Sequence, residues 1–207
     1  MINSIDEVQQ MCLLKASLEN DPLFKRSYMM LSPGSPTEKL QDLMQMLPQI
    51  PESYTDIIKL YSINGLEIAG FNVSPYFNTN PDVVEDLIEA YEDPFFPKEF
   101  MQKHKMYQIG SWNTDILCIT EGTDQFGEGE ILYVEEGYDI YNPEDSQIHP
   151  LAKDFEQFLI VAGNIEQLHE EMQGEDSLYP VKEQEFLDCL ARLEVDKKYY
   201  PAWLNVF

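Results

Sequence analysis

Tyr107-Gln108-Ile109-Gly110-Ser111-Trp112-Asn113-Thr114-Asp115-Ile116-Leu117-Cys118-Ile119-Thr120 is the stretch that decides the fold. Its two ends are rich in β-branched and aromatic residues, and Asn113-Thr114-Asp115 supplies a tight connection between them, so it reads as a β-hairpin. Downstream, a glycine-rich loop over 122–129 leads to a third run, Ile131-Leu132-Tyr133-Val134. Glu136-Gly137 then turns the chain into a fourth run over 138–141. Short strands joined by short turns make an antiparallel meander. Residues 66–71 read as one further strand, and on both sides of the meander the hydrophobic period lengthens from 2 to 3.6 residues. The expected fold is α+β, with a central, mostly antiparallel sheet built from residues near 66–71, 106–121 and 130–141. N-terminal and C-terminal helices flank the sheet and are expected to cover one face.

The helices carry start and stop signals. Ser4 followed by Glu7 is a capping box, with Ile5, Val8, Cys12 and Leu18 as a rough helical stripe behind it. Ser35-Pro36-Thr37-Glu38 combines an N-cap, a proline at the first helical position and a box glutamate. Leu40, Leu43, Met44 and Leu47 form that helix's apolar face, and Pro48 ends it. Over 52–63, Tyr54, Ile57, Ile58 and Tyr61 share a face until Asn64-Gly65, the residues that best tolerate a left-handed backbone. Asn80-Pro81 opens another helix, with Val84, Leu87, Ile88 and Tyr91 inward, and residues 98–105 are a small basic island. From about Pro150 the period is helical again through Leu151, Phe155, Phe158, Leu159 and Ala162. A last helix spans 180–194, and the tail with Tyr199, Tyr200, Trp203 and Phe207 is expected to fold back on the core.

Charge narrows the function classes. The 207 residues carry a formal net charge of −25, and between Glu121 and Asp176 sixteen carboxylates face one base, Lys153. That segment alternates its acids with strong strand and helix formers, which an acidic disordered tail lacks, so the charge lies on a folded surface. Such a surface is either a solubilising face or a docking surface for a basic protein. With only thirteen Lys and Arg, the chain is not expected to bind nucleic-acid phosphates, and the same charge argues against anionic membranes. No stretch approaches the roughly 20 apolar residues that span a bilayer. The N-terminus has no basic, then apolar, signal-peptide pattern. Cys12, Cys118 and Cys189 are widely spaced in apolar neighbourhoods and read as buried thiols in a reducing cytoplasm.

The catalytic inventory is nearly empty. His104, His149 and His169 are too scattered for the usual zinc spacings, and no H-E-x-x-H or C-x-x-C occurs. The acidic loop around Asp124 and Glu128 lacks the alternate ligands and distal glutamate of a calcium-binding EF-hand, and its lack of lysine excludes a phosphate-binding loop. No G-x-S-x-G elbow is present. Paired carboxylates for glycoside chemistry remain an option only because acids are dense. The expectation is a non-enzymatic chain with no metal and no cofactor.

The order of features resembles the SUKH superfamily, the Smi/Knr-type domains. The block Ile50-Pro51-Glu52-Ser53-Tyr54, a helix ending in Asn64-Gly65, and Leu66-Glu67-Ile68-Ala69-Gly70-Phe71 is similar to that family's opening. Ile109-Gly110, Ile116-Leu117-Cys118-Ile119, the glycine loop, Ile131-Leu132-Tyr133-Val134 and Phe155-Glu156-Gln157-Phe158-Leu159 follow in the family's order, with Asp154 where serine is usual. The likeness covers roughly 35–170. On it, residues 1–174 form one SUKH-like α+β domain with a possible insertion at 81–105, and 175–207 form a helical C-terminal extension packed on the core. The Gly-Gly often found after the family's helix is Gly65-Leu66 here. The resemblance implies an α+β domain whose bacterial members act mainly as immunity proteins, neutralising a cognate polymorphic toxin, often a nuclease. A minority are non-enzymatic regulatory or scaffolding modules, and that class stays open. For the first class, the partner-binding candidates are the acids of the glycine loop and its flanking strands: Glu121, Asp124, Glu128, Glu130, Glu135, Glu136 and Asp139. Glu166, Glu170 and Glu171 on the later helix are expected to be solvated bystanders.

Overall fold

In the computed structural model, which describes residues 1–75, 82–93, 96–135 and 147–207, the meander is complete from one edge to the other. Its strands are β1 (Glu67–Ile68), β2 (Phe71–Asn72), β3 (Met106–Trp112), β4 (Asp115–Thr120), β5 (Ile131–Glu135) and β6 (Gln147–Ala152). They pair in chain order, each antiparallel to the next. Around them lie α1 (Ile5–Leu18), α2 (Pro22–Ser27), α3 (Thr37–Met46), α4 (Glu52–Leu60), α5 (Val83–Glu92), α6 (Lys98–His104), α7 (Phe155–Met172), α8 (Tyr179–Arg192) and α9 (Tyr200–Val206). The fold is α+β.

The deciding hairpin forms with Trp112 opposite Asp115 and Met106 opposite Thr120, and Asn113 takes the left-handed turn position at φ 53. Between Gln108 and Gly110 the register shifts by a bulge. There a Cβ on Gly110 would stand 2.2 Å from the Asn72 carbonyl oxygen, so only glycine lets β2 close on β3.

Two elements differ from expectation. The single strand over 66–71 is a hairpin, β1–β2, reversed at Ala69 (φ 50) and Gly70 (φ 76). The helix expected from Pro150 starts instead at Phe155, because 147–152 form β6. Pro150 sits there opposite Leu132, beside a bulge, on the sheet's last strand, where a missing N–H breaks no further ladder. Asp154 then caps α7 by accepting from the Gln157 N–H at 2.8 Å, while the Gln157 side chain accepts from the Lys153 N–H. Asp154 thus makes the N-cap bond where the resemblance has Ser, while the Gln157 side chain returns to the residue before the cap. The expected strand at 138–141 and the start at Asn80-Pro81 lie outside the described residues.

Both sheet faces are buried, not one. On the first face Phe71, Ile109, Leu117, Ile119, Ile131, Tyr133 and Leu151 meet Tyr54 and Ile58 of α4 and Phe155, Phe158 and Leu159 of α7. On the second, Ile116, Cys118, Leu132 and Val134 meet Ala90 of α5, Phe96, and Phe100 and Met101 of α6. Period 2 assigns Ile116 and Cys118 to one side and Leu117 and Ile119 to the other, so a strand with no polar interior residue needs two covers. Ser35 also departs from expectation. Pro36 holds the cap position of α3, and the buried Ser35 hydroxyl donates to Asp82 Oδ1 at 2.7 Å. Asp82 in turn caps α5 through the Val84 N–H.

The tail completes the first face. Trp203 is fully buried, its ring against Phe71 and Phe158, and its indole N–H donates to the Leu151 carbonyl of β6 at 2.5 Å. Phe207 stacks on Phe186 of α8 with centroids 5.0 Å apart. Truncating Trp203 should cost about 3–5 kcal/mol, the range for a large buried aromatic. Urea unfolding of Trp203→Ala checks it, and a loss under about 1 kcal/mol would show that the tail is not part of the cooperative core.

Burial pushes the phenols of Tyr54, Tyr91, Tyr107 and Tyr199 well above the usual tyrosine range. In the unfolded chain they ionise near pH 10. The contribution of these phenols to stability is therefore fully present below about pH 10 and is lost as pH rises through their raised folded-state values. In an alkaline titration, tyrosinate absorbance from this group should rise together with loss of far-ultraviolet circular dichroism. Full ionisation before unfolding would contradict the assignment.

Candidate partner-binding surface

The β4–β5 loop that carries the acidic candidates is closed by its own backbone. The Thr120 N–H donates to the Glu130 carbonyl, and the Gly129 N–H donates to the Thr120 carbonyl at 2.9 Å. Thr123 accepts at its hydroxyl from the Gln125 and Phe126 N–H groups, and its own N–H reaches the Phe126 carbonyl at 2.8 Å. Gly122 (φ 97) and Gly129 (φ 82) occupy the left-handed positions that the reversal demands. The Glu121 N–H also donates to the carbonyl of Lys105, tying the loop to the end of α6.

That frame separates the seven acids. Asp124 and Glu128 are exposed on the loop. Glu135, at the end of β5, lies 3.0 Å from His149 Nε2 on β6. Glu121 is half-buried and accepts the Tyr107 hydroxyl proton at 2.5 Å. Glu130 is not a surface residue at all: only 4 % of it is exposed. One of its oxygens takes the Tyr199 hydroxyl at 2.5 Å and the Lys198 ammonium, pinning the tail to the loop. Glu136 and Asp139 lie outside the described residues. The structure thus leaves Asp124 and Glu128 facing outward on this loop and Glu135 outward at the opposite end of β5, with Glu121 set at the mouth of a groove.

The surface is not uniformly acidic. Lys103 and His104 of α6 line a hollow of about 280 Å³ together with Asp124, Gln125 and Phe126. Burial, then the Lys103 charge, pulls the His104 imidazole below its ordinary range. The basic island of the sequence is therefore a neighbour of the acidic loop.

Of the helix acids, Glu170 and Glu171 are exposed as expected, but Glu166 is not a bystander. Glu166 pairs with Lys15 of α1, and its other oxygen accepts from the Ala69 N–H at 2.7 Å, which joins α1, α7 and the β1–β2 turn. Glu171 pairs with Lys182, and Glu170 lies 3.6 Å from Lys15. Lys15 is partly buried, and the contact with Glu166 was invisible in the sequence because 151 residues separate them.

Sequence reading also missed a groove of about 370 Å³ beside the loop. Met46 at the end of α3 and Leu47, Pro48 and Gln49 after it form one wall, and Lys98, Met101 and Gln102 of α6 form the other. Met106 and Tyr107 lie at its base and Glu121 at its mouth. Its residues, Tyr91 of α5 among them, come from five separate segments with no shared period, so no local signal announces it.

For covalent chemistry the surroundings are poor. Burial pushes the Cys12 thiol up to about 12, with the Glu166 charge adding to the effect. Burial raises the Cys118 and Cys189 thiols as well. Thiols so held are protonated at neutral pH and are weak nucleophiles. Among the described residues, no group of three or more His, Cys, Asp or Glu side chains is placed to hold a metal ion. Likewise, among the described residues, no helix is long and apolar enough to cross a membrane.

The split between inner and outer acids can be measured. Glu130→Ala strands the buried Tyr199 hydroxyl and should destabilise by about 1–3 kcal/mol. Asp124→Lys with Glu128→Lys should change stability by no more than about 0.5 kcal/mol. Thermal unfolding of the two variants checks the ranking, and equal losses would refute it. Comparison with family models, with curated proteins and with solved structures finds no match for this chain.

Proposed function

We propose that the chain is a non-catalytic immunity-type inhibitor of the SUKH kind, which binds a basic toxin domain in the cytoplasm of the cell that produces it. The observation that carries the reading is the backbone-locked β4–β5 loop, which holds Asp124 and Glu128 outward on a chain of net charge −25. A stiff acidic projection steers a cationic partner and loses little conformational freedom on docking. The SUKH likeness adds support in order only: α4 follows Pro51 and Asn64-Gly65 precedes β1, but α4 ends at Leu60 with Tyr61 extended, short of the Asn64-Gly65 stop expected from the sequence. Gly65 has φ 70, and Ser74 both accepts from its N–H and donates to the Asn64 side chain. Pro51, Asn64 and Gly65 thereby serve the fold, and the acids serve the partner.

The test begins with the neighbouring reading frame, which on this reading encodes a secreted protein ending in a basic toxin domain, and uses that domain. Association should be fast at low salt and slow steeply as salt rises. Reversing Asp124, Glu128 and Glu135 together to lysine should cut the association rate about tenfold or more at low salt and much less at high salt. Unchanged affinity at low salt would leave these carboxylates with a solubilising role only. The purified chain should also show no nuclease or hydrolase activity, and a stoichiometric transition metal found by elemental analysis would count against the reading.

A further inference from the structure

We infer that the groove between α3 and α6 is where the partner anchors, taking one apolar side chain that lies next to an arginine or lysine bound by Glu121. This rests on the reading of the chain as the binder of a basic protein. It differs from that reading in placing the main anchor off the acidic loop.

The groove is built for an apolar insert. Its base is formed by Leu47, Met101, Met106 and the Tyr107 ring, all buried, with Met46 exposed at the rim. Thioethers are flexible and polarisable, and they adapt to side chains of differing shape. A volume of about 370 Å³ exceeds what one Leu, Met or Phe side chain fills, leaving room for the flanking backbone. An apolar recess bordered by a polar rim is the arrangement in which a few residues supply most of the binding energy.

Charge complementarity selects the neighbour of that insert. Glu121 is the carboxylate in the lining among the described residues, and it is fixed from two directions. Its N–H donates to the Lys105 carbonyl, and Tyr107 donates its hydroxyl proton to Oε1. Tyr107 itself has a hydrogen bond with the Gln49 backbone, so the donor that orients the carboxylate is held from the α3 side, while the Lys105 carbonyl holds the Glu121 main chain. A carboxylate so held meets a cation without reorganising. Lys98 on the opposite wall can donate to carbonyls of the inserted segment. An acidic segment would face the net charge of −25 as well as Glu121, which disfavours it.

The probe is a blocked Arg-Leu-Arg tripeptide titrated into the full chain carrying isotope-labelled methionine methyl groups. The methyl signals of Met101 and Met106 should shift and saturate, while those of Met11 and Met172, on α1 and α7, stay in place. Arg-Ser-Arg should bind more weakly and Glu-Leu-Glu should not bind. Glu121→Gln keeps the acceptor for Tyr107 but removes the charge, and should weaken Arg-Leu-Arg about threefold to fivefold, the size of a half-exposed ion pair. Gln102→Phe, at an exposed position on the wall, fills the groove and should abolish the methyl shifts. Still methyl signals, equal binding of Arg-Leu-Arg and Arg-Ser-Arg, or no effect of Glu121→Gln would overturn the inference. If only the Asp124 and Glu128 amides respond, the groove proposal fails and the acidic-surface reading stands. If the groove takes Arg-Leu-Arg but the neighbouring toxin domain does not bind, the immunity reading fails and the groove's preference stands.

Discussion

Burial of β4 and β5 on both faces is the constraint from which the rest of the structure follows. Ile116-Leu117-Cys118-Ile119 and Ile131-Leu132-Tyr133-Val134 have no polar interior position to turn toward water. Each fully buried large apolar side chain is worth about 1.5–3 kcal/mol relative to exposure, so leaving either face open would forfeit several such terms. The first face is closed by α4, α7 and the Trp203 tail, and the second by α5, α6 and Phe96. The segment at 81–105, read from the SUKH likeness as an insertion, therefore supplies the helices α5 and α6 that cover the second face. With α6 held there, the end of α3 comes to lie across from it, and the groove with Glu121 at its mouth is the gap between them.

Where the sequence spoke clearly, it did so through local physics. The meander was legible because its runs alternate with turn residues, and α4 was legible because Tyr54, Ile57, Ile58 and Tyr61 repeat on one face up to Gly65. The losses have equally specific causes. Leu66 to Phe71 reads as one strand because Ala69, a residue that resists a positive φ, stands at the first turn position. Its N–H is held by Glu166 from α7, a tertiary contact that overrides the local preference. β6 was hidden because proline is rare in sheets and Leu151 also fits the helical stripe of α7.

The acidic candidates show the same limit at the level of function. Glu128 and Glu130 are two residues apart in one loop and chemically identical in the sequence. Gly129, at φ 82, turns the chain between them, sending Glu128 to solvent and Glu130 to Tyr199 and Lys198. Composition cannot separate a carboxylate that meets a partner from one that holds the tail, because both contribute equally to a net charge of −25. A backbone angle separates them. Glu166 makes the same point from the other side, since an acid expected to be idle ties three elements together.

On the proposed reading, a strongly acidic chain of this kind would divide its labour between range and contact. Charges on Asp124, Glu128 and Glu135 act over about a Debye length, roughly 8 Å at physiological salt, so they influence encounter more than the lifetime of a complex. Lifetime depends on desolvated, well-packed contacts, and the exposed loop has few apolar atoms to offer beyond half-buried Phe126. The groove has them in Leu47, Met101, Met106 and Tyr107, and Glu121 sits where the two surfaces join. The Glu121 side chain is fixed by a neutral donor, Tyr107, which orients its charge without cancelling it. Glu130, neutralised by Lys198, has surrendered that role to the fold, whereas the Tyr107 hydroxyl leaves Glu121 negative at the edge of an apolar recess. A partner approaching along the acidic field would thus reach the recess with a cation already placed beside it.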